Sequence, residues 1–410
     1  MDYKKTYKSD IYLMIPYTSK RDIIIKENEA EVDEYTKEFL KSINKYSTTQ
    51  CREDVTKEIE RYFIGKNNLC CMSFDYEQEE VHKEPIYMFI SKHKKTGIYM
   101  LILMDLKNEF SPTHIQDQLS TDNIYIYDGE QRIHVDEYMM NKYGFERCGT
   151  AKNLISISNK PEDEMEFKCM LSSETYKPDQ TMYYLLDSKE INNLANNNFS
   201  QYKYYELYAS KYSVVYILNT FSDDLILNIQ DEITILYIME LIMFQSASVL
   251  RTNNRVIKEL SKEGTVSLKF IEELYREFGK TIKFWDKDIF KYETVQYIST
   301  KINDAFETHQ IYEEYTKNQQ FLEHIVSLKD IQDSNRESKI LNIIVLILTI
   351  IQVIPLIFDF LSWIFKFEFN IDISNDKYWF NTSIVLLIII IVIVRGILVK
   401  NKKKKIGMKV

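Results

Sequence analysis

Two uncharged apolar runs near the C-terminus constrain this chain more than any other feature. Residues 340–358 (ILNIIVLILTIIQVIPLIF) hold no Asp, Glu, Lys or Arg, and residues 378–394 (YWFNTSIVLLIIIIVIV) hold none either. A helix needs about 20 mostly apolar residues to cross a bilayer. The pattern predicts two transmembrane helices behind a large polar region. Lys400, Lys402, Lys403, Lys404 and Lys405 follow the second run. Short basic flanks stay on the cytoplasmic side, and two crossings put the N-terminal bulk there as well. The expectation is a multi-pass protein of the inner or plasma membrane with both termini cytoplasmic.

The mean hydropathy of −0.31 conceals this, because the rest of the chain is polar. A net charge of −9, with no basic patch interleaved with aromatics, argues against direct binding of nucleic acid. The first residues, MDYKKTYKSD, contain no apolar core of the signal-peptide kind. Cys51, Cys70, Cys71, Cys148 and Cys169 form no CxxC pair and no zinc spacing, so they read as free thiols.

Proline and glycine divide the chain. Five of the six prolines precede residue 180, and from residue 179 to residue 354 there is no proline and only Gly264 and Gly279. A span so poor in breakers favours long helices. The first part reads as mixed α/β. Residues 10–16 are a short strand, and residues 86–90 and 98–104 flank an HKKTG turn as a hairpin. Residues 124–127 before Asp128-Gly129 are another strand, and residues 29–46 are an amphipathic helix. Residues 233–244 are apolar but too short to span a bilayer and hold Glu240, so they read as a buried helix running on toward residue 260. From about Lys287 to Phe365 only Pro355 interrupts, which predicts one helix about 120 Å long at about 1.5 Å per residue.

The fold class expected is α+β. Its parts are a cytoplasmic α/β domain (1–180), a helical stalk (181–338), a pore-lining membrane helix (339–366), an outer loop (367–377), a second membrane helix (378–399) and a basic tail (400–410).

The first apolar run carries the chemistry. Written in sevens, Asn335, Asn342, Thr349 and Leu356 form one row, and Ser338, Val345, Gln352 and Asp359 form the second. These are the a and d rows of a heptad. Every clearly polar residue between positions 340 and 358 lies on this seam, and Asp359 extends it. Polar groups in a membrane helix turn from lipid toward protein or water. In a ring of helices, each seam residue becomes a ring of oxygens able to replace part of an ion's hydration shell. The same seam also suits plain helix-to-helix hydrogen bonding. Pro355 lacks the N–H that would bond to the Ile351 carbonyl, making it a candidate hinge beside Leu356. Below the run, Phe321, Leu328 and Ile331 continue the seam as a coiled-coil core or a constriction, with Leu328 the candidate gate. Arg395 is placed to snorkel, and Lys402, Lys403, Lys404 and Lys405 to anchor on anionic lipid.

A cytoplasmic α/β domain, a long stalk helix entering the first membrane helix, a short loop, a second membrane helix and a basic tail resemble the CorA magnesium-channel superfamily. SNRESKILNIIVLILTIIQVIPLIF (residues 334–358) is similar to that family's inner helix, including its late proline. The resemblance implies a homo-oligomer, a pentamer in the family, whose first membrane helix lines the pore. On that resemblance Asn335, Asn342, Thr349, Gln352 and Asp359 would line it here. It also implies a divalent cation such as magnesium.

One departure stands out. The family's outer Gly-Met-Asn signature is replaced here by Phe358-Asp359-Phe360-Leu361-Ser362-Trp363. CorA-like proteins without the signature include membrane effectors beside type III CRISPR systems. These are thought to answer a nucleotide second messenger of the S-adenosylmethionine–AMP kind and to damage membrane function in antiviral defence. The soluble domain would then bind an adenylate-type ligand, although the chain has no Walker A loop and no GxGxxG.

Three readings stay open: a ligand-gated channel or membrane effector, a constitutive divalent-cation transporter, and a membrane-anchored scaffold or enzyme without conduction. Of these the channel, a non-enzyme, leads. The six histidines are scattered. His134, two positions before Asp136, has no paired metal-ligand spacing.

Overall fold

The computed structural model describes residues 9–19, 23–72, 81–106, 113, 122–172, 174, 176, 189–219, 225–260, 268–281 and 287–365. The chain divides into two units, Met1–Leu328 and Lys329–Val410.

The first unit is built on one large sheet. Among the described residues its strands are β1 (Ser9–Ser19), β2 (Ile59–Met72), β3 (Val81–His93), β4 (Ile98–Leu106), β5 (Tyr125–Asp128), β6 (Gln131–His134), β7 (Phe145–Arg147), β8 (Lys152–Ile157), β9 (Tyr205–Ala209) and β10 (Ser213–Leu218). Their order is β6-β5-β2-β3-β4-β1-β8-β10-β9, with β7 also on β1. All pairs are antiparallel except β8 with β10.

Strand β1 lies inside the sheet, between β4 and β8. Tyr12 and Met14 join the core on one face; Ile11, Leu13 and Ile15 join the core on the other. Burial on both faces explains a run that is apolar at nearly every position rather than at every second one. Gly97, with φ 64°, closes the β3–β4 hairpin, and Gly129, with φ 65°, closes β5–β6. Residues with a Cβ rarely adopt that backbone.

The helices of this unit are α1 (Glu34–Gln50), α2 (Glu53–Thr56), α3 (Val135–Tyr143), α4 (Glu164–Ser172), α5 (Lys189–Ala195), α6 (Leu225–Leu260), α7 (Leu268–Thr281) and α8 (Glu293–Ala305), followed by the start of α9 (Thr308–Phe365). Helix α1 begins later than residue 29: Asp33 caps it by accepting from the Thr36 amide at 2.9 Å, and Glu29–Glu31 are a 3-10 turn. The Lys66 ammonium, 2.7 Å away, and then the Thr36 amide hold the Asp33 carboxyl down to about 2.

Helix α6 lies across the sheet face that carries Tyr12, Met14, Phe63, Phe89 and Leu154. Its segment Asp231–Glu259 is long and apolar enough to cross a membrane, yet 89% of its apolar window is buried inside the fold. Its polar residues show why it is a core helix. Glu240 is enclosed and paired with Arg61, and Glu232 accepts from the Tyr12 hydroxyl and, at 2.8 Å, from Ser156.

Two expectations are corrected here. The region after residue 180 is not wholly helical, since β9 and β10 lie within it and complete the sheet beside β8. Their sequences, YELYA and SVVYIL, are rich in the aromatic and β-branched residues that suit a pleated, buried surface. The helix expected from Lys287 to Phe365 is broken. Helix α8 ends at Ala305, Phe306 turns into the core at 4% exposure, and Glu307 takes φ 56° before α9 starts. Helix α9 then spans 58 residues, or about 87 Å at about 1.5 Å per residue.

Glu307 carries a backbone strain that a β-branched residue tolerates worst. Glu307→Val is expected to lower stability by about 1–2 kcal/mol, and Glu307→Gly to match or exceed the parent. Urea denaturation of the full chain in detergent checks both.

In the second unit, α9 continues through Pro355 to Phe365 without a helix break. The expected outer loop, the expected second membrane helix with Arg395, and the basic tail with Lys402, Lys403, Lys404 and Lys405 lie outside the described residues.

Candidate functional site

Helix α9 places the whole predicted seam on one continuous helix. At about 100° per residue, Asn335, Asn342, Thr349, Gln352 and Asp359 fall within an arc of about 120°. Residues 340, 344, 347 and 351, all Ile, occupy the other side. Asn335, Asn342, Thr349 and Gln352 are exposed in the single chain. The Thr349 hydroxyl donates to the Val345 carbonyl at 2.8 Å, which leaves its lone pairs turned outward. Leu328, Pro355, Leu356 and Asp359 are placed by their backbone on the same helix.

The apolar neighbours are exposed too. Ile340, Leu341, Val345 and Leu346 are 51%, 61%, 57% and 57% exposed. Soluble chains rarely leave a contiguous patch of this kind uncovered.

The first turns of α9 show which side is already occupied. Tyr315 is buried, and Asn318 donates to Asn253 of α6 at 2.7 Å. Glu323 accepts from the Tyr275 hydroxyl of α7. Phe321 and His324 sit on the other flank, with His324 about 180° round from Tyr315, and both are exposed.

The joint that starts α9 is held to the sheet by two lysines. Lys152 of β8 lies over the Phe306 ring at 4.6 Å and donates to the Lys211 carbonyl. The Lys211 ammonium pairs with Glu307 at 2.8 Å. Burial, helped by Lys211, pushes the Lys152 ammonium down to about 8. An unfolded lysine keeps its proton to about 10.4. Between those values the unfolded state binds more protons, so this residue's contribution to stability rises as pH climbs from about 8 to about 10.4. The melting temperature of the parent is expected to gain on that of Lys152→Met across this window, and a constant difference would count against it.

Asp122, His134 and Asp136 bring ligand atoms within 4.8 Å of one another. A cation already serves them: the Arg147 guanidinium pairs with Asp122 and, at 3.3 Å, with Asp136. His134 Nδ1 accepts from the Asp136 amide at 3.2 Å and caps α3, and Nε2 lies 2.9 Å from the Asp122 carbonyl. With Nδ1 accepting, Nε2 carries the proton and donates. Both ring nitrogens are thus used, and the cluster reads as a structural network.

Cys148 is buried, and burial pushes its thiol up to about 12, unsuited to a nucleophile. Cys51, Cys70, Cys148 and Cys169 are free thiols.

No family model, no curated protein and no solved structure matches the chain.

Proposed function

We propose that the chain is one subunit of a homo-oligomeric, CorA-like membrane channel or membrane effector, a pentamer by that resemblance, opened by a ligand on its N-terminal unit. The observation that carries this reading is the single helix α9. It leaves the seam residues Asn335, Asn342, Thr349 and Gln352 on one side and a band of Ile on the other. The apolar band suits hydrocarbon, and the polar arc suits a water-filled axis shared by several copies.

On this reading the protein sits in the cell membrane with its sheet domain in the cytoplasm. It conducts a cation such as magnesium or dissipates an ion gradient, with antiviral defence of the type III CRISPR kind as the context. The ligand belongs to the adenylate-type nucleotide class, and the protein performs no catalysis.

The test is ion flux from liposomes holding the purified full chain, with and without adenylate-type nucleotides. Ligand-dependent flux supports the proposal. Flux without ligand, together with rescue of a magnesium-uptake-deficient strain, would favour a constitutive transporter. No flux at all would leave a membrane-anchored scaffold.

A further inference from the structure

On the first unit, α1, α2 and the first residues of β2 enclose an open cleft of about 400 Å³. Asn44, Ser47 and Thr48 form one wall, and Thr56 and Lys57 form another. Residues 59–62 of β2 form the third. The volume falls in the usual range for small-molecule sites, about 300–1,000 Å³.

Phe63 turns its carbonyl away from β3, where it accepts from the Asn28 amide at 3.1 Å. Backbone groups alternate sides along a strand, so Ile59 and Arg61 point their N–H groups the same way. Among the described residues, β5 covers only Leu69 and Cys70 on that edge. Ile59 and Arg61 thus turn both their N–H groups and their carbonyls to this edge, where they line the cleft together with Lys57.

Lys57 pairs with Glu53 at 2.6 Å with both side chains mostly exposed, a pairing weak enough to yield to a ligand. The acid of the cleft, Glu60, is already matched by Lys94 at 3.0 Å and by the Tyr62 hydroxyl at 2.7 Å. Beneath lies the Arg61 guanidinium, bound to Glu240 of α6 and, at 2.8 Å, to Asn44.

We propose that this cleft binds a small anionic ligand, its charged group held by Lys57 and the outward N–H groups of Ile59 and Arg61. This deepens the function proposed above and rests on its reading of the first unit as the ligand-responsive part. The cleft is also tied to the helices that lead to α9. The Lys291 ammonium donates to the Thr48 carbonyl at 2.8 Å. The Arg52 amide donates to Ile289, and the Lys291 amide to Gln50, both at 2.9 Å. Helix α8 starts two residues after Lys291. A ligand that draws α1 and β2 together therefore pulls on the segment from which α8, the joint at Glu307 and α9 follow.

Calorimetric titration of the full chain in detergent with inorganic pyrophosphate, at constant ionic strength and with citrate in parallel, tests this. Saturable binding is expected, with slower hydrogen exchange in residues 57–62. Lys57→Glu should weaken it at least tenfold and Thr48→Trp should abolish it, while Lys37→Glu leaves it unchanged. Residues 37, 48 and 57 are all exposed, so the fold survives each change. Citrate binding equally well would assign the site to anions in general, and pyrophosphate binding alone would assign it to phosphates. Absence of saturable binding, or equal binding by the parent, Lys57→Glu and Thr48→Trp, overturns the proposal. Binding without liposome flux would keep the cleft and sink the channel; flux without binding would do the reverse.

Discussion

Glu240→Leu is expected to destabilise the protein by about 3–5 kcal/mol, and the double variant Arg61→Met, Glu240→Leu to recover most of that loss. The Arg61 and Glu240 side chains are 3% and 0% exposed, and Arg61 also lies 5.4 Å from the Tyr237 ring centre. Removing one partner strands a charge that is almost fully enclosed. Removing both leaves apolar groups of similar bulk between α6 and the sheet. Urea denaturation followed by circular dichroism, on the full chain in detergent, reads the difference. If the single and double variants lose the same amount, the pair is not the coupled unit described here.

On the proposed channel reading, Asn342→Leu combined with Gln352→Leu is expected to cut ligand-evoked flux by roughly tenfold or more, because that reading places two rings of amide oxygens on the axis. Ile344→Leu, on the opposite side of the helix, should leave flux near that of the parent. Cross-linking in detergent should show the same oligomer for all three proteins. Unchanged flux in the double variant would mean that the amides serve helix-to-helix contact and that ions pass elsewhere.

Some of this was legible in the residues and some was not, for identifiable reasons. The β3–β4 and β5–β6 hairpins announce themselves through Gly97 and Gly129, whose positive φ the turns require. The stretch 233–244, too short to span a bilayer and holding Glu240, marked that part of α6 as a buried helix. Strand β2 was harder. Its pairing with β3 shifts between Phe63 and Gly65, a bulge that breaks the two-residue alternation by which a strand is recognised. The break before α9 left no mark either, since a glutamate, not a glycine, takes the left-handed backbone at position 307. The seam could be read because its residues recur every seven positions within one helix. The cleft could not, because Asn44, Lys57 and Arg61 gain meaning only once α6 brings Glu240 from 179 positions further on.

The parallel pairing of β8 with β10, and the bridge between Cys51 and Phe290, have a consequence for synthesis. Neither contact can form while a ribosome is still making the middle of the chain. Strand β1, although first to emerge, waits for β8 to flank it and for α6 to cover it, and α1 waits longer still for residues 289–291. Such distant pairings form slowly. The apolar run at 340–358 therefore leaves the ribosome soon after the last pieces of the sheet domain, and a nascent chain delivered late to its destination would hold an already closed domain and a greasy tail at the same moment.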